Sequence, residues 1–373
     1  MKNPKTTIEK HFAHLTEPRE SNKSHKLLDI ITIAFCATIA GCEGWSQFEE
    51  FGRCKAEWFQ TFLELPHGIP SNDTFARVFA AIDPVEFQTA FLSWVQAIQN
   101  LTRGEIVAVD GKTLRRSHNR QAGKKAIHMV SAWASDNHMV LGQMKTDAKS
   151  NEIKVIPELL RLLDIQGCIV TIDAMGCQKE IAEQIIDKQA DYVLALKGNQ
   201  GRLHEDLTLF FQDALPSGFR DTDHAYWESV DGDHGRIETR RYWTTADIHW
   251  LPDHSAWNGL RTAVMVQRER EVAGEVSRET SYYISSLHND PQILARAIRQ
   301  HWGIENSLHW ILDVTFREDD SRIRKDHAPE NMAVLRHMAL NMLKKENSRR
   351  TSIKTKRLKA GWDNQFLTKI IHS

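Results

Sequence analysis

Cysteine is scarce and poorly placed for bracing. The five residues Cys36, Cys42, Cys54, Cys168 and Cys177 are odd in number, widely spaced, and contain no CxxC pair. That argues against a disulfide framework and against a structural zinc site built on thiolates. Long hydrophobic runs are also missing. The longest apolar stretch, Leu27 to Ala40, includes Asp29 and falls short of the roughly 20 residues a membrane span requires, so it is expected as a buried helix. No charged-then-apolar leader stands at the start, which sets the expectation of a cytoplasmic protein without a membrane anchor. Internal repeats, low-complexity segments and a GxGxxG phosphate loop are absent too. Nor does one sign of charge dominate: 48 Lys and Arg stand against 49 Asp and Glu, for a net charge of −1. This balance excludes neither nucleic acid nor small substrates, because positive charge can be concentrated locally.

What is present suits two or three compact units in 373 residues. Residues 1–26 mix charges without apolar periodicity and are expected as a partly ordered arm. From Leu27 to Leu101 the pattern is helical, with Trp45, Phe48, Phe51, Trp58, Phe59 and Phe62 recurring at spacings near three and four. Ser71 or Asn72 is expected to cap one helix, and Asp83-Pro84 the next. The stretch 1–101 is therefore expected as a helical N-terminal domain. Its aromatic stripe reads as core before it reads as a base-stacking surface.

The pattern changes at Glu105. Ile106-Val107-Ala108-Val109 is an apolar run ending in Asp110, as a buried strand with an acid at its carboxyl end would be. Two further strands are expected over Ala126 to Trp133 and His138 to Met144, joined through Ser135-Asp136-Asn137. A helix over Glu152 to Leu163 follows, then a strand Cys168 to Ile172 ending in Asp173, a helix near Gln178 to Lys188, and a strand Tyr192 to Leu196. Three strands in a meander, then helix, strand, helix and strand, describe a ribonuclease-H-like core. A doubly wound nucleotide-binding domain shares the alternation, but it expects the glycine-rich loop that is missing here. The expected catalytic domain spans 102–345, with a mainly β insertion over about 198–290. A basic tail, 346–373, would close the chain.

Acids at the carboxyl ends of two apolar strands converge at one sheet edge, and paired hard oxygen ligands suit Mg²⁺ or Mn²⁺. Against this, an Asp after a strand is also a common turn opener. The third candidate, Glu305, lies in His301-Trp302-Gly303-Ile304-Glu305-Asn306-Ser307-Leu308-His309. On a helix His301, Glu305 and His309 share one face at steps of four. Zinc held by both histidines is disfavoured: the HExxH spacing is lacking, and eight residues of helix rise about 12 Å. An exposed polar stripe is the plainer alternative for the histidines.

The blocks Asp110-Gly111-Lys112-Thr113-Leu114-Arg115, Thr171-Ile172-Asp173-Ala174-Met175-Gly176 and His301-Trp302-Gly303-Ile304-Glu305-Asn306 through Leu312-Asp313-Val314 resemble the signature blocks of H-repeat-associated insertion-sequence transposases. The resemblance extends over nearly the whole chain, including Gly68 to Arg77 and Lys149 to Ile153. It implies an α/β fold with a ribonuclease-H-like DDE catalytic core, a β insertion before the last acid and a helical N-terminal domain. It also places the triad on Asp110, Asp173 and Glu305, which would hold two Mg²⁺ (or Mn²⁺) ions. Related transposases carry a tyrosine, an arginine and a lysine at fixed steps around the glutamate. Those steps fall here on Ile298, His301 and Leu312, so the DNA-contact roles of that motif do not transfer. The implied activity is metal-dependent DNA cleavage and strand transfer, with double-stranded DNA as partner, a homodimer on that DNA, and association with the nucleoid.

Lys112, Arg115, Arg116, Arg120, Lys124 and Lys125 follow Asp110 with no intervening acid and are the expected DNA contacts. The plain alternative is a solvated loop. The C-terminal run from Lys344 to Lys359 holds the same two readings. Two other functions stay open: a catalytically inactive DNA-binding derivative of a transposase, and a metal-dependent hydrolase of small phosphoesters. The second gives the basic segments and helical domain no purpose.

Overall fold

Two of the N-terminal helices begin where the chain offers a capping oxygen. In the computed structural model, described over residues 5–21, 23–118, 123, 125–146, 152–233 and 235–372, the first elements are α1 (Lys5–Phe12), α2 (Leu27–Ile39), α3 (Trp45–Cys54), α4 (Ala56–Gln60), α5 (Asn72–Ala81) and α6 (Pro84–Ile98). Ser71 accepts from the Thr74 amide to open α5. Asp83 accepts from Val85 and Glu86 to open α6, with Pro84 in its first turn. The stretch before residue 27, expected as a partly ordered arm, includes α1. Ile8 and Phe12 are buried, and the Phe12 ring meets Phe87 edge-on at 5.5 Å. Two apolar residues one helical turn apart are too short a pattern to register as periodicity.

Next come β1 (Ile106–Thr113), β2 (His128–Ala134), β3 (Met139–Thr146), α7 (Glu152–Leu162), β4 (Ile169–Ile172), α8 (Lys179–Asp187), β5 (Asp191–Leu196) and α9 (Gly201–Ser217). The strands β6 (Ala225–Asp233), β7 (Arg236–Thr245), β8 (Thr262–Val272) and β9 (Glu275–Ser285) follow, and the chain ends in α10 (Pro291–His301), α11 (Trp310–Val314), α12 (Ala328–Lys345), α13 (Ile353–Trp362) and α14 (Asn364–His372). The chain divides into two compact units: residues 1–100, 111–151 and 305–373 form the first, and residues 101–110 and 152–304 form the second.

In the second unit the strands lie in the order β1-β4-β5-β9-β8-β7-β6. β1, β4 and β5 run parallel, and β5 to β9 and the remaining pairs run antiparallel. Ile106, Val107, Ala108 and Val109 are all fully buried, as parallel strands covered on both faces require. Ile106, Ile169, Val193 and Val264 pack with Leu294 and Ile298 of α10. The β meander β6–β9 interrupts the core before α10. Within the insertion expected as mainly β, α9 comes first: Leu203, Leu207, Phe211 and Ala214 are buried at helical steps, and Gly218, at φ 65°, ends the helix in the left-handed region.

The first unit joins α1–α6 to the last three residues of β1, the β2–β3 hairpin and the C-terminal helices, with strand order β3-β2-β1. With the parallel β1-β4-β5 row this is the ribonuclease-H-like order, and the fold is α/β. α2 is apolar on nearly every side, α12 is buried along nearly its whole length, and both sit in the core. Asn341 of α12 resolves a gap in the β3 edge: its Nδ2 donates to the Val140 carbonyl at 2.9 Å, and its Oδ1 accepts from the Val140 amide at 2.8 Å. The segment expected as a basic tail holds α13 and α14. Lys356 donates to the Leu343 carbonyl, and Arg357 donates to Thr38 and stacks 4.0 Å over Phe316. These two cations therefore close the fold and leave the candidate DNA surface. Among the described residues no helix is long and apolar enough to cross a membrane.

Candidate active site

Asp110 and Asp173 follow a paired register. Val109 lies opposite Ile172 in the parallel β1–β4 ladder, so each acid is the next residue on neighbouring strands at one sheet edge. Behind Asp173 the chain makes a single tight turn, Ala174–Gly176. One carboxylate oxygen, Oδ1, accepts from the Met175 and Gly176 amides at 3.1 and 3.4 Å. A glycine is required there: a Cβ on Gly176 would stand 2.3 Å from Ile172 Cγ2. Asn199 and Gln200 hold the turn from the next segment through the carbonyls of Ala174 and Cys177, each at 2.6 Å. The turn-opener reading of Asp173 is thus correct for one of its oxygens. The other oxygen makes no part of that cap.

His301, at the end of α10, reaches back to β4, with Nδ1 at 3.0 Å from Thr171 Oγ1. Burial lowers its pKa, and the nearby Asp173 charge opposes that shift without reversing it. A neutral imidazole beside Asp173 was not legible in the sequence, where His301 read as surface or ligand. The signal available was its place three residues beyond the apolar Ile298, on the same helix face.

In the first unit Glu305 opens a π-helical turn, Glu305–His309, a distortion frequent at functional sites. This corrects the regular face shared by His301, Glu305 and His309. Glu305 is exposed, whereas His309 is buried. A Glu305 carboxylate oxygen and a His309 ring nitrogen come within 4.8 Å. Burial, aided by the Lys112 charge, pushes His309 down to about 3, so its ring is neutral.

The basic run after Asp110 is not one free surface. Lys112 is largely, though not fully, buried: its ammonium donates to Asp313 and, at 2.7 Å, to Glu318. Its expected place at the DNA phosphates is corrected, because its charge is neutralised inside the fold. Burial works against the Lys112 charge, but Glu318 and Asp313 outweigh it and hold the pKa above the usual lysine range. Glu318 is itself raised by burial and brought down to about 2 by Lys112 and Arg336, the latter at 3.4 Å. Arg115 and Arg116 are exposed and pair with Asp319 and Asp320 at 3.2 and 3.4 Å. Lys125 is exposed. Arg120 and Lys124 lie outside the described residues.

A helical preface, two acids side by side at the ends of parallel strands, and a third acid placed after a β insertion are arranged as in a ribonuclease-H-like DDE core. The comparisons agree. Residues 102–342 match the family described as "Transposase DDE domain", and residues 9–95 match its associated N-terminal region. A relative in Escherichia coli O157:H7, named "Putative transposase YncI", is 42% identical over 97% of this chain and 94% of its own length. One in Escherichia coli K12, named "H repeat-associated putative transposase YhhI", is 38% identical over 97% of this chain and 96% of its own. A shorter K12 relative, named "Inactive transposase YbfQ", is 43% identical over 14% of this chain and 64% of its own. The chain belongs to the DDE transposase family.

Proposed function

We propose that this chain catalyses divalent-metal-dependent cleavage and strand transfer of DNA at the ends of an insertion sequence, with Asp110, Asp173 and Glu305 as metal ligands. The observation that carries the reading is the register: one residue beyond Val109 and Ile172, two carboxylates stand at neighbouring strand ends. The donor set fits the metal, since carboxylate oxygens are hard ligands of the kind Mg²⁺ or Mn²⁺ takes. Two such ions would supply activation of a water or 3′-hydroxyl and charge neutralisation at the leaving oxygen. The protein's own part is positional. The Met175 and Gly176 amides fix one Asp173 oxygen and orient the carboxylate, and Gly176 allows that turn to sit against Ile172. The neutral His301 adds no cation that would compete for Asp173. Arg115, Arg116 and Lys125 meet DNA phosphates, the two arginines by exchanging carboxylate partners that are half-buried (Asp319) and exposed (Asp320), which costs little at a surface. The enzyme works on double-stranded DNA as a homodimer, in the cytoplasm and on the nucleoid.

Incubation of the purified protein with labelled duplex carrying the element's ends tests this. Strand nicks that form with Mg²⁺ and stop with a chelator are expected. Binding without nicks would mark an inactive derivative, the reading that a relative named as inactive favours.

A further inference from the structure

Within the first unit, a cavity of about 950 Å³ has cations on every side. Arg77 comes from the last turns of α5, Lys125 from the approach to β2, Lys145 from β3, and Arg324 and Lys325 from the segment before α12. Ala80, Ala81, Ala126 and Ile127 contribute an apolar lining, and among the described residues Asp326 is the one acid in it. A second cavity, of about 590 Å³, shares Arg324 and Lys325 and adds Arg322. The net charge of the chain is −1, so this is a local excess that the composition conceals.

The fold uses little of that charge. Lys145 pairs with Glu330 at 3.0 Å, and Arg324 spends its Nε on the Arg116 carbonyl at 2.8 Å. The Arg77 Nε reaches only the Asp73 carbonyl one turn back, at 3.3 Å. Among the described residues no ion pair holds Arg77, Lys125 or Lys325, and all three are exposed. Like charges gathered in excess of acids repel, and an anion arriving among them relieves that repulsion. A nucleic-acid backbone suits a row of cations drawn from several elements, because each strand presents a charge every 3.4 Å or so.

We propose that this cavity is a binding cleft for the phosphodiester backbone of DNA, with Arg77, Lys125, Arg324 and Lys325 as its phosphate contacts. The proposal rests on the reading of the chain as a DNA transposase and extends its phosphate contacts from Lys125 to Arg77, Arg324 and Lys325. The contacts are sequence-independent: they hold DNA in place and read no bases.

The test is the salt dependence of binding to labelled duplex by the full-length protein and by Arg77→Ala/Lys325→Ala, with Lys325→Glu as a second variant. Neither side chain anchors another element, so the thermal melts should match the parent. Two lost phosphate contacts should reduce the slope of log affinity against log salt by about 1.8, at roughly 0.9 per contact, for all duplex sequences alike. Lys325→Glu should weaken binding more than Lys325→Ala. A parent that binds duplex with a steep slope, and a double variant with the same slope, would overturn the cleft and leave the transposase reading intact. A parent that binds no duplex between about 50 and 200 mM salt would overturn both.

Discussion

The Lys112 ammonium lies 2.7 Å from the carboxylate of Glu318, a residue that follows it by 206 positions and has a side chain 2% exposed. Lys112 is two residues beyond Asp110, and Glu318 thirteen beyond Glu305, so the pair ties together the segments that leave two of the proposed ligands. Breaking a buried ion pair by removing one partner leaves an uncompensated charge, at a cost of about 3–5 kcal/mol. Glu318→Ala and Lys112→Ala are each expected to lose stability of that order in urea unfolding. A loss under about 1 kcal/mol, the value of an exposed pair, would contradict the buried network.

Acid should unfold the protein in two stages. Burial pushes His337 down to about 4, below its ordinary 6.5, so the unfolded chain takes up the proton first and stability falls as pH drops from 6.5 to about 4. Glu318, held down at about 2 against an ordinary 4.5, gives stability that is complete above 4.5 and lost as pH falls from there to about 2. The urea midpoint should therefore decline from pH 6.5 downward, and less steeply over the upper stage in His337→Leu. An unchanged upper slope in that variant would remove His337 from the account.

Arg115 and Arg116 should contribute to DNA binding despite their acidic neighbours. Exposed ion pairs contribute little, and Asp319 and Asp320 can give way to phosphate. Replacing both arginines by Ala is expected to lower the salt slope by about 0.9 per lost duplex contact and to weaken binding to every sequence alike. An unchanged slope in titrations at several salt concentrations would leave these residues as paired surface charge.

The parts of this arrangement that could be read from the sequence are those that depend on neighbours in the chain. Asp110 and Asp173 could be found because each ends an apolar run, and Asp83-Pro84 because a cap and its helix are contiguous. Lys112 read as a free cation because its partners, Asp313 and Glu318, stand 201 and 206 residues away. The same distance effect hid Asn341, whose amide pairs with the backbone of Val140. The π-helical turn at Glu305–His309 escaped for another reason. Steps of four assume a regular helix, and nothing in the spacing of His301, Glu305 and His309 signals the inserted residue that buries His309 while Glu305 faces solvent. α9 carried its helical steps in plain view, at Leu203, Leu207 and Phe211, but within a segment otherwise dominated by tryptophans and strand-like runs.

The most direct measurement is Mg²⁺-dependent nicking of labelled duplex by Asp110→Asn and Asp173→Asn, with DNA affinity measured on the same preparations. Each change removes a metal-binding charge and no basic contact. Nicking is expected to be abolished while duplex binding stays near the parent's. Folded Asn variants that cut as fast as the parent in Mg²⁺ would contradict the assignment of these two acids.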